Sequence, residues 1–283
     1  MNRNRPKIQS VDRALTLLEI LAGHVDGIGL SDIAREAGLN KTTVYRLLAT
    51  MQGRGYVRQL PEGGRYTLGW KVVELSGALL EGTELVTVAK DPLKRLSQLT
   101  QEAVHLGVLD EDRAEVIYVS KIDSPQPIRI ASRVGGRMPA FCTALGKSIL
   151  SHMAPERAER ILRKKPLLAR TSKTKTDLEL VIRELDTVRS RGYALDNGEN
   201  EEGIVCIGAP IFDNSGNVSA AVSISGPSFR LQGEIISQMA PHVVRCAEEI
   251  SMNLGCDRHM FRALLYSSQA HYDEVEAKHR RGV

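Results

Sequence analysis

The 283 residues are 42% hydrophobic and 25% charged, with a net charge of +4, which fits a globular chain of two domains and excludes a disordered or collagenous one. No apolar run approaches the roughly 18 residues of a membrane span, and the basic start Met1-Asn2-Arg3-Asn4-Arg5-Pro6-Lys7 has no apolar stretch behind it, so no secretory signal is read. Cys142, Cys206, Cys246 and Cys256 form no CxxC pair, which excludes a zinc ribbon or thioredoxin motif and fits reduced thiols in the cytoplasm.

The charge is unevenly placed. Residues 1–70 hold ten Lys/Arg against six Asp/Glu, so the whole excess lies in the first quarter of the chain. A basic quarter on a balanced body points to a polyanion partner for that quarter.

Three short amphipathic helices open the chain. The first is expected to be capped by Ser10, with Val11, Ala14, Leu15, Leu18, Leu21 and Ala22 on its apolar face. The second follows Ser31 and carries Leu30, Ile33, Ala34 and Ala37; Gly38-Leu39-Asn40 breaks the chain. The third runs from about Lys41 to Gln52, with Val44, Leu47, Leu48 and Met51 inward. Two strand-like runs, 56–60 and 65–68, are joined by Pro61-Glu62-Gly63-Gly64 as a hairpin. A linker helix starts at Lys71, and a further helix is expected to start at Asp91-Pro92, with Asp as cap and Pro at the first helical position.

The remainder reads as α+β. Strands are expected at 104–109, 116–121, 128–131, 204–209 and 220–225, the last two joined by Asp213-Asn214-Ser215-Gly216-Asn217. Helices are expected at 143–152, 155–163, 177–191 and 232–254. Hairpin-linked strands between helices give an antiparallel sheet flanked by helices. The domains are then 8–70, a linker helix at 71–90, 91–255, and a polar, poorly ordered C-terminal tail at 256–283.

Residues 30–51 carry the layout of DNA recognition. Two short helices joined by a tight turn containing Gly form a helix-turn-helix. With one face of the third helix turned inward, Lys41, Thr42, Thr43, Tyr45 and Arg46 are free near its start to reach bases and phosphates, and Ser31 stands at the start of the preceding helix. Arg65 on the hairpin reads as a wing contact, and Arg3, Arg5 and Lys7 as a basic arm. A protein-interaction module is the competing reading; the Gly turn, the small polar residues opening the third helix and the hairpin behind it favour DNA.

Several stretches in order resemble the IclR family of bacterial regulators. They include Ser10-Val11-Asp12-Arg13-Ala14-Leu15, the run from Gly38 to Leu48, Gly55-Tyr56-Val57 and Arg65-Tyr66-Thr67-Leu68-Gly69. Beyond the hairpin they include the runs Arg133–Pro139, Thr143–Lys147, Arg191–Asp196, Glu199–Cys206 and Ser223–Pro227. The resemblance implies a winged helix-turn-helix, a linker helix and a GAF-like effector domain. It also implies dimers or dimers of dimers on palindromic operators, and control of catabolic operons, with repression the expected sign. Val104–Asp112 and Lys121–Ser124 are most similar to members that regulate 2-keto-3-deoxygluconate and related sugar-acid breakdown.

On matching positions, the resemblance implies that the N–H groups of Ala144 and Leu145 bind an effector carboxylate. Asp196 and Cys206 would contact its polar end, Ser223 and Ser225 would offer hydroxyls, and Ile130 and Met138 would supply an apolar wall. The chain departs from many relatives at Phe141-Cys142, at the bulkier Leu145, and at Val205, where an Arg is common. His105, between Val104 and Leu106, reads as a satisfied sheet histidine. No P-loop, nucleophile elbow or dinucleotide fingerprint is present, so neither catalysis nor a cofactor is expected. A metal or redox sensor built on Cys142, Cys206 and His105 is the alternative.

Overall fold

The computed structural model describes residues 7–81, 84–127 and 130–266. The chain divides into two compact units between Gly82 and Thr83.

In the first unit, α1 (Gln9–Gly23), α2 (Leu30–Ala37) and α3 (Lys41–Gly53) precede the antiparallel pair β1 (Val57–Gln59) and β2 (Tyr66–Leu68), and α4 (Lys71–Glu81) follows. Gly38 ends α2 in the left-handed region, at φ 62°, where a side chain would be strained. Asn40 opens α3: its Oδ1 accepts from the Thr43 N–H at 2.8 Å. Leu17, Leu21, Ile33, Val44, Leu48 and Met51 close the core with Val57 and Tyr66 of the hairpin. Three expectations shift here. Ser10 does not cap α1; the helix starts at Gln9, and Ile8 O accepts from the N–H groups of Val11 and Asp12. The buried stripe centres on Leu17 and Leu21, which leaves Val11 and Leu15 exposed. Ser31 lies inside the first turn of α2, which begins at Leu30 after Gly29.

The second unit comprises α5 (Glu84–Thr100), β3 (Ala103–Asp110), β4 (Glu115–Ile122), β5 (Arg137–Pro139), α6 (Ala144–Ser151), α7 (Pro155–Leu162), α8 (Leu178–Arg191), β6 (Ala194–Asn197), β7 (Ile204–Phe212), β8 (Val218–Pro227), α9 (Glu234–Asn253) and α10 (Arg258–Leu265). The strands form one antiparallel sheet in the order β5-β4-β3-β8-β7-β6. Alternation along the strands divides their side chains between two faces. Val104, Leu106, Ile207, Ala209, Val222 and Ile224 pack with α5 and α9 residues into one apolar core. The other face receives α6, with Leu145 and Ile149 in a second cluster beside Val116 and Ala221.

Three expectations are corrected in this unit. The helix expected to begin at Asp91-Pro92 begins at Glu84, with Pro92 in its interior. Proline there frees the carbonyl of Val88, and the Asn253 side-chain amide of α9 donates to that oxygen at 3.4 Å, which offsets the lost bond. The expected strand at 128–131 is not formed at Ile130 and Ala131, and 128–129 lie outside the described residues; β5 and β6 supply the sheet edges instead. The tail expected from residue 256 begins as an ordered helix. Phe261 and Leu265 of α10 are buried, Asp257 Oδ1 caps it by accepting from His259 and Met260 N–H, and His152 Nε2 lies 3.1 Å from Leu265 O. Amphipathic spacing of Phe261 and Leu265 in a polar stretch accounts for it.

Helix α6 lies so close to its neighbours that two positions exclude any side chain. A Cβ at Gly146 would sit 2.1 Å from Ala140 O, and one at Gly208 would sit 2.8 Å from Ala144 O. Gly77 in α4 meets nothing within 4 Å. The same substitution therefore has opposite signs at two helical glycines. Gly146→Ala is expected to destabilise by about 1–3 kcal/mol through overpacking, and Gly77→Ala to stabilise by up to about 1 kcal/mol through helix propensity. Urea unfolding followed by circular dichroism checks both, and a Gly146→Ala protein as stable as wild type would refute the close approach.

Candidate functional site

In the first unit the start of α3 presents Lys41, Thr42, Tyr45 and Arg46 to solvent, with Thr43 half-buried. Ser31 on α2 and Arg65 beside β2 are also exposed. Three acidic groups of this unit neutralise other cations: Asp12 pairs with Lys7 at 3.2 Å, Asp32 with Arg35 at 2.7 Å and Glu74 with Lys71 at 2.5 Å. Among the described residues, Lys41, Arg46, Arg54 and Arg65 make no ion pair. Apart from Arg13 on α1, the cations without an ion pair thus lie on α3, at its end and on the hairpin, where a phosphate backbone would take up their charge. Arg54, and Arg58 stacked 5.4 Å from the ring of the exposed Trp70, escaped the sequence reading; the exposed Trp directly after the hairpin was the available signal. Arg3 and Arg5 lie outside the described residues.

In the second unit the strand register gathers the expected effector residues. Asp196 on β6 pairs with Cys206 on β7, and Cys206 with Ser225 on β8. Two residues along, Gly208 pairs with Ser223, and Ser223 with His105 on β3. Opposed residues of an antiparallel ladder share a face, so Asp196, Cys206, Ser225, Ser223 and His105 form one polar patch on the α6 side. Cys206 packs against the cluster of Ala144, Val188 and Ala194, and Leu145 comes within 2.9 Å of where a Gly107 Cβ would be. Thr143 Oγ1 accepts from Gly146 N–H at 3.2 Å. The N–H groups of Ala144 and Leu145 make no hydrogen bond among the described residues, as the first turn of a helix requires. Met138 on β5 is half-buried, and its Sδ accepts from the Asn200 amide at 3.8 Å. Ile130 is half-buried in the loop before β5, two residues from Ser132.

Electrostatics define the patch further. Burial raises the Asp196 carboxyl to about 6, against the hydrogen bonds it accepts from Glu199 N–H at 2.8 Å and Asn200 N–H at 3.3 Å and the charge of Lys147. Burial and then Asp196 raise Cys206 well above the ordinary thiol range, yet part of Cys206 stays accessible. Burial, then Cys206 and Asp196, raise the Tyr118 phenol likewise. Tyr118 on β4 thus belongs to the site although the sequence reading missed it, because a β-bulge between Leu106 and Gly107 shifts the β4 register. Cys142, raised to about 12 by burial and then by Asp196, lies 4.0 Å from Asn200 Oδ1. Lys147 on the same helix is fully buried; Nζ donates to Glu199 Oε1 at 2.6 Å and to Leu195 O. This set offers an anion two free N–H groups at a helix start and, beside them, the hydroxyls of Ser223 and Ser225, the uncharged imidazole of His105 and the Asp196 carboxyl, which is ionised above about pH 6.

Comparison with known proteins agrees with both halves. Residues 10–61 match the IclR helix-turn-helix domain, and residues 77–252 match the bacterial transcriptional regulator IclR C-terminal model. The chain is 36% identical over 255 residues to the HTH-type transcriptional regulator KdgR of Escherichia coli, covering 90% of this chain and 96% of that protein. It is 31% identical over 249 residues to the transcriptional repressor IclR of the same organism, covering 88% and 91%. Among solved structures, Thermotoga maritima IclR superposes with a TM-score of 0.74 at 32% identity, over 88% of this chain and all of that one. An IclR homolog from Microbacterium hydrocarbonoxydans, complexed with 4-hydroxybenzoate, superposes with a TM-score of 0.75 at 28% identity, over 88% and 100%. A helix-turn-helix with unpaired cations and a sheet domain with a polar patch thus have matching relatives along both units, and the chain belongs to the IclR family of bacterial transcriptional regulators.

Proposed function

We propose that the protein represses a catabolic operon by binding a palindromic operator as a homodimer or dimer of dimers, and that a small carboxylate of the sugar-acid class, such as 2-keto-3-deoxygluconate, controls that binding. The observation that carries this reading is the patch facing α6, where two free N–H groups stand beside Asp196, Cys206, Ser223 and Ser225. Free N–H groups at a helix start favour a carboxylate, and a relative in the same fold is complexed with one. The sugar-acid class rests on the resemblance in 104–112 and 121–124. Two-fold protein symmetry matches a palindromic site.

Lys41, Thr42, Thr43, Tyr45 and Arg46, with Ser31 and Arg65, are the proposed DNA contacts. Arg46→Ala is expected to weaken operator binding by about 1–3 kcal/mol, measured by gel shift on DNA upstream of the gene; unchanged affinity and footprint would remove α3 from the reading role.

Asp196 gives a test that separates function from folding. Its folded pKa lies above the unfolded one, so ionisation opposes folding: stability falls as pH rises from about 4 to about 6 and the full cost is present at pH 7. Asp196→Asn keeps an oxygen for the Glu199 and Asn200 N–H groups and removes that cost. The variant is expected to melt no lower than wild type at pH 7, to bind operator normally without ligand, and to lose its response to the acid. Loss of operator binding together with the response would make Asp196 structural.

The thiols favour this reading over a redox sensor. Burial raises Cys142 and Cys246 to about 12 and Cys256 to about 11, and a protonated thiol is a poor nucleophile and metal ligand. Among the described residues no cluster of three His, Cys, Asp or Glu suits a metal ion. Peroxide or zinc at neutral pH is expected to leave the gel shift unchanged; a loss to which Cys206→Ser is immune would reinstate the sensor.

A further inference from the structure

We propose that His105, held by Ser132 and lying on the Tyr118 ring, reads the far hydroxyl groups of the effector, so that the site selects an extended polyhydroxylated monocarboxylate over a short keto acid or an aromatic acid. The inference rests on the reading of the α6-facing patch as the effector site.

His105 is almost fully buried and has no acidic residue in hydrogen-bond range. Burial, and then the charge of Lys121, lower it to about 4, so at neutral pH it is an uncharged imidazole with one donor and one acceptor. Its neighbours are hydroxyl groups. Nε2 lies 2.7 Å from Ser132 Oγ, while Nδ1 lies 3.4 Å from Ser225 Oγ, at the outer edge of hydrogen-bond range. The ring sits 4.8 Å from that of Tyr118 at 33°. Lys121 Nζ donates to Ser132 O at 2.6 Å and pairs with Asp123 at 2.7 Å, so Ser132 is held against the imidazole from both its side chain and its backbone. The histidine is thus fixed on one side and loosely partnered on the side that Ser225 shares with Cys206.

The position sets a length. From Gly208, which lies against Ala144 at the start of α6, the sheet steps through Ser223 on β8 to His105 on β3. Two strand spacings are about 10 Å. A two- or three-carbon keto acid held by Ala144 and Leu145 stops short of His105, whereas a six-carbon chain reaches it. A neutral imidazole between hydroxyls pairs well with further hydroxyls, which can donate and accept; an aromatic ring in the same place would leave those groups unpaired, and unpaired buried polar groups are what polar sites use to reject analogues.

The test is isothermal titration calorimetry on the full-length protein with gluconate, 2-keto-3-deoxygluconate, pyruvate and 4-hydroxybenzoate, using wild type, His105→Phe, His105→Gln and Ser132→Ala. Wild type is expected to prefer the six-carbon acids. His105→Phe, which keeps an aromatic ring against Tyr118, and Ser132→Ala, a change in a half-buried loop that preserves the fold, are each expected to lower six-carbon acid affinity about tenfold or more. Pyruvate affinity should stay within about twofold, and His105→Gln should recover part of the loss. Equal losses on six-carbon acids and pyruvate, no loss on either, or a wild-type preference for 4-hydroxybenzoate would each overturn the assignment of His105. A wild type that binds none of the four acids would overturn the effector-site reading beneath it.

Discussion

Helix α6 is buried on every side, and the rest of the second unit is arranged around that constraint. All eight of its residues are buried, including Lys147, Ser148 and Ser151. A buried ammonium without a partner costs several kcal/mol, so Lys147 must be met, and it is met by Glu199, Leu195 O and, at 3.6 Å, Glu184. Ser148 Oγ donates back to Ala144 O at 2.8 Å. The helix can enter this space only because residues 146 and 208 lack side chains.

The same bonds shape the site. Glu199, which holds Lys147, also donates its N–H to Asp196, and Asp196 pairs across the sheet with Cys206. Helix position, the loop after β6 and the polar patch are therefore one hydrogen-bonded unit, and a ligand that draws on the α6 N–H groups or on Asp196 acts on all of it. A ligand shifts a conformational equilibrium only through groups it contacts differently in two states, and in this unit such groups are hydrogen-bonded to one another.

The two units solve different electrostatic problems. The first leaves Lys41, Arg46 and Arg65 on α3 and the hairpin without ion pairs while Lys7, Arg35 and Lys71 are paired, which suits a polyanion. The second buries its charges in pairs: besides Lys147, Glu102 takes Arg230 through two bonds of 2.6 and 2.8 Å. Its polar patch sets the Asp196 carboxyl beside the hydroxyls of Ser223 and Ser225 and the uncharged imidazole of His105.

Much of this was legible in the chain itself. The helix-turn-helix follows from apolar period, the glycine at 38 and the polar residues opening α3, all local signals. The hairpin turns and alternating strands made the antiparallel sheet readable, and the quoted motifs carried the family and the residues from Ala144 to Ser225. Tertiary contacts decided the rest. Pro92 reads as a helix start, and only the distant Asn253 amide allows the helix to run through it. Ser10 reads as a cap, and α1 begins without it. The α10 helix in a polar tail is fixed by the core that receives Phe261 and Leu265. Tyr118 and His105 enter the site because a bulge and a strand order, β3 beside β8, bring distant segments to one face. Local propensity is a property of neighbouring residues and can be read along the chain; which buried group meets which partner depends on pairings more than a hundred residues apart, and those exist only once the sheet has closed.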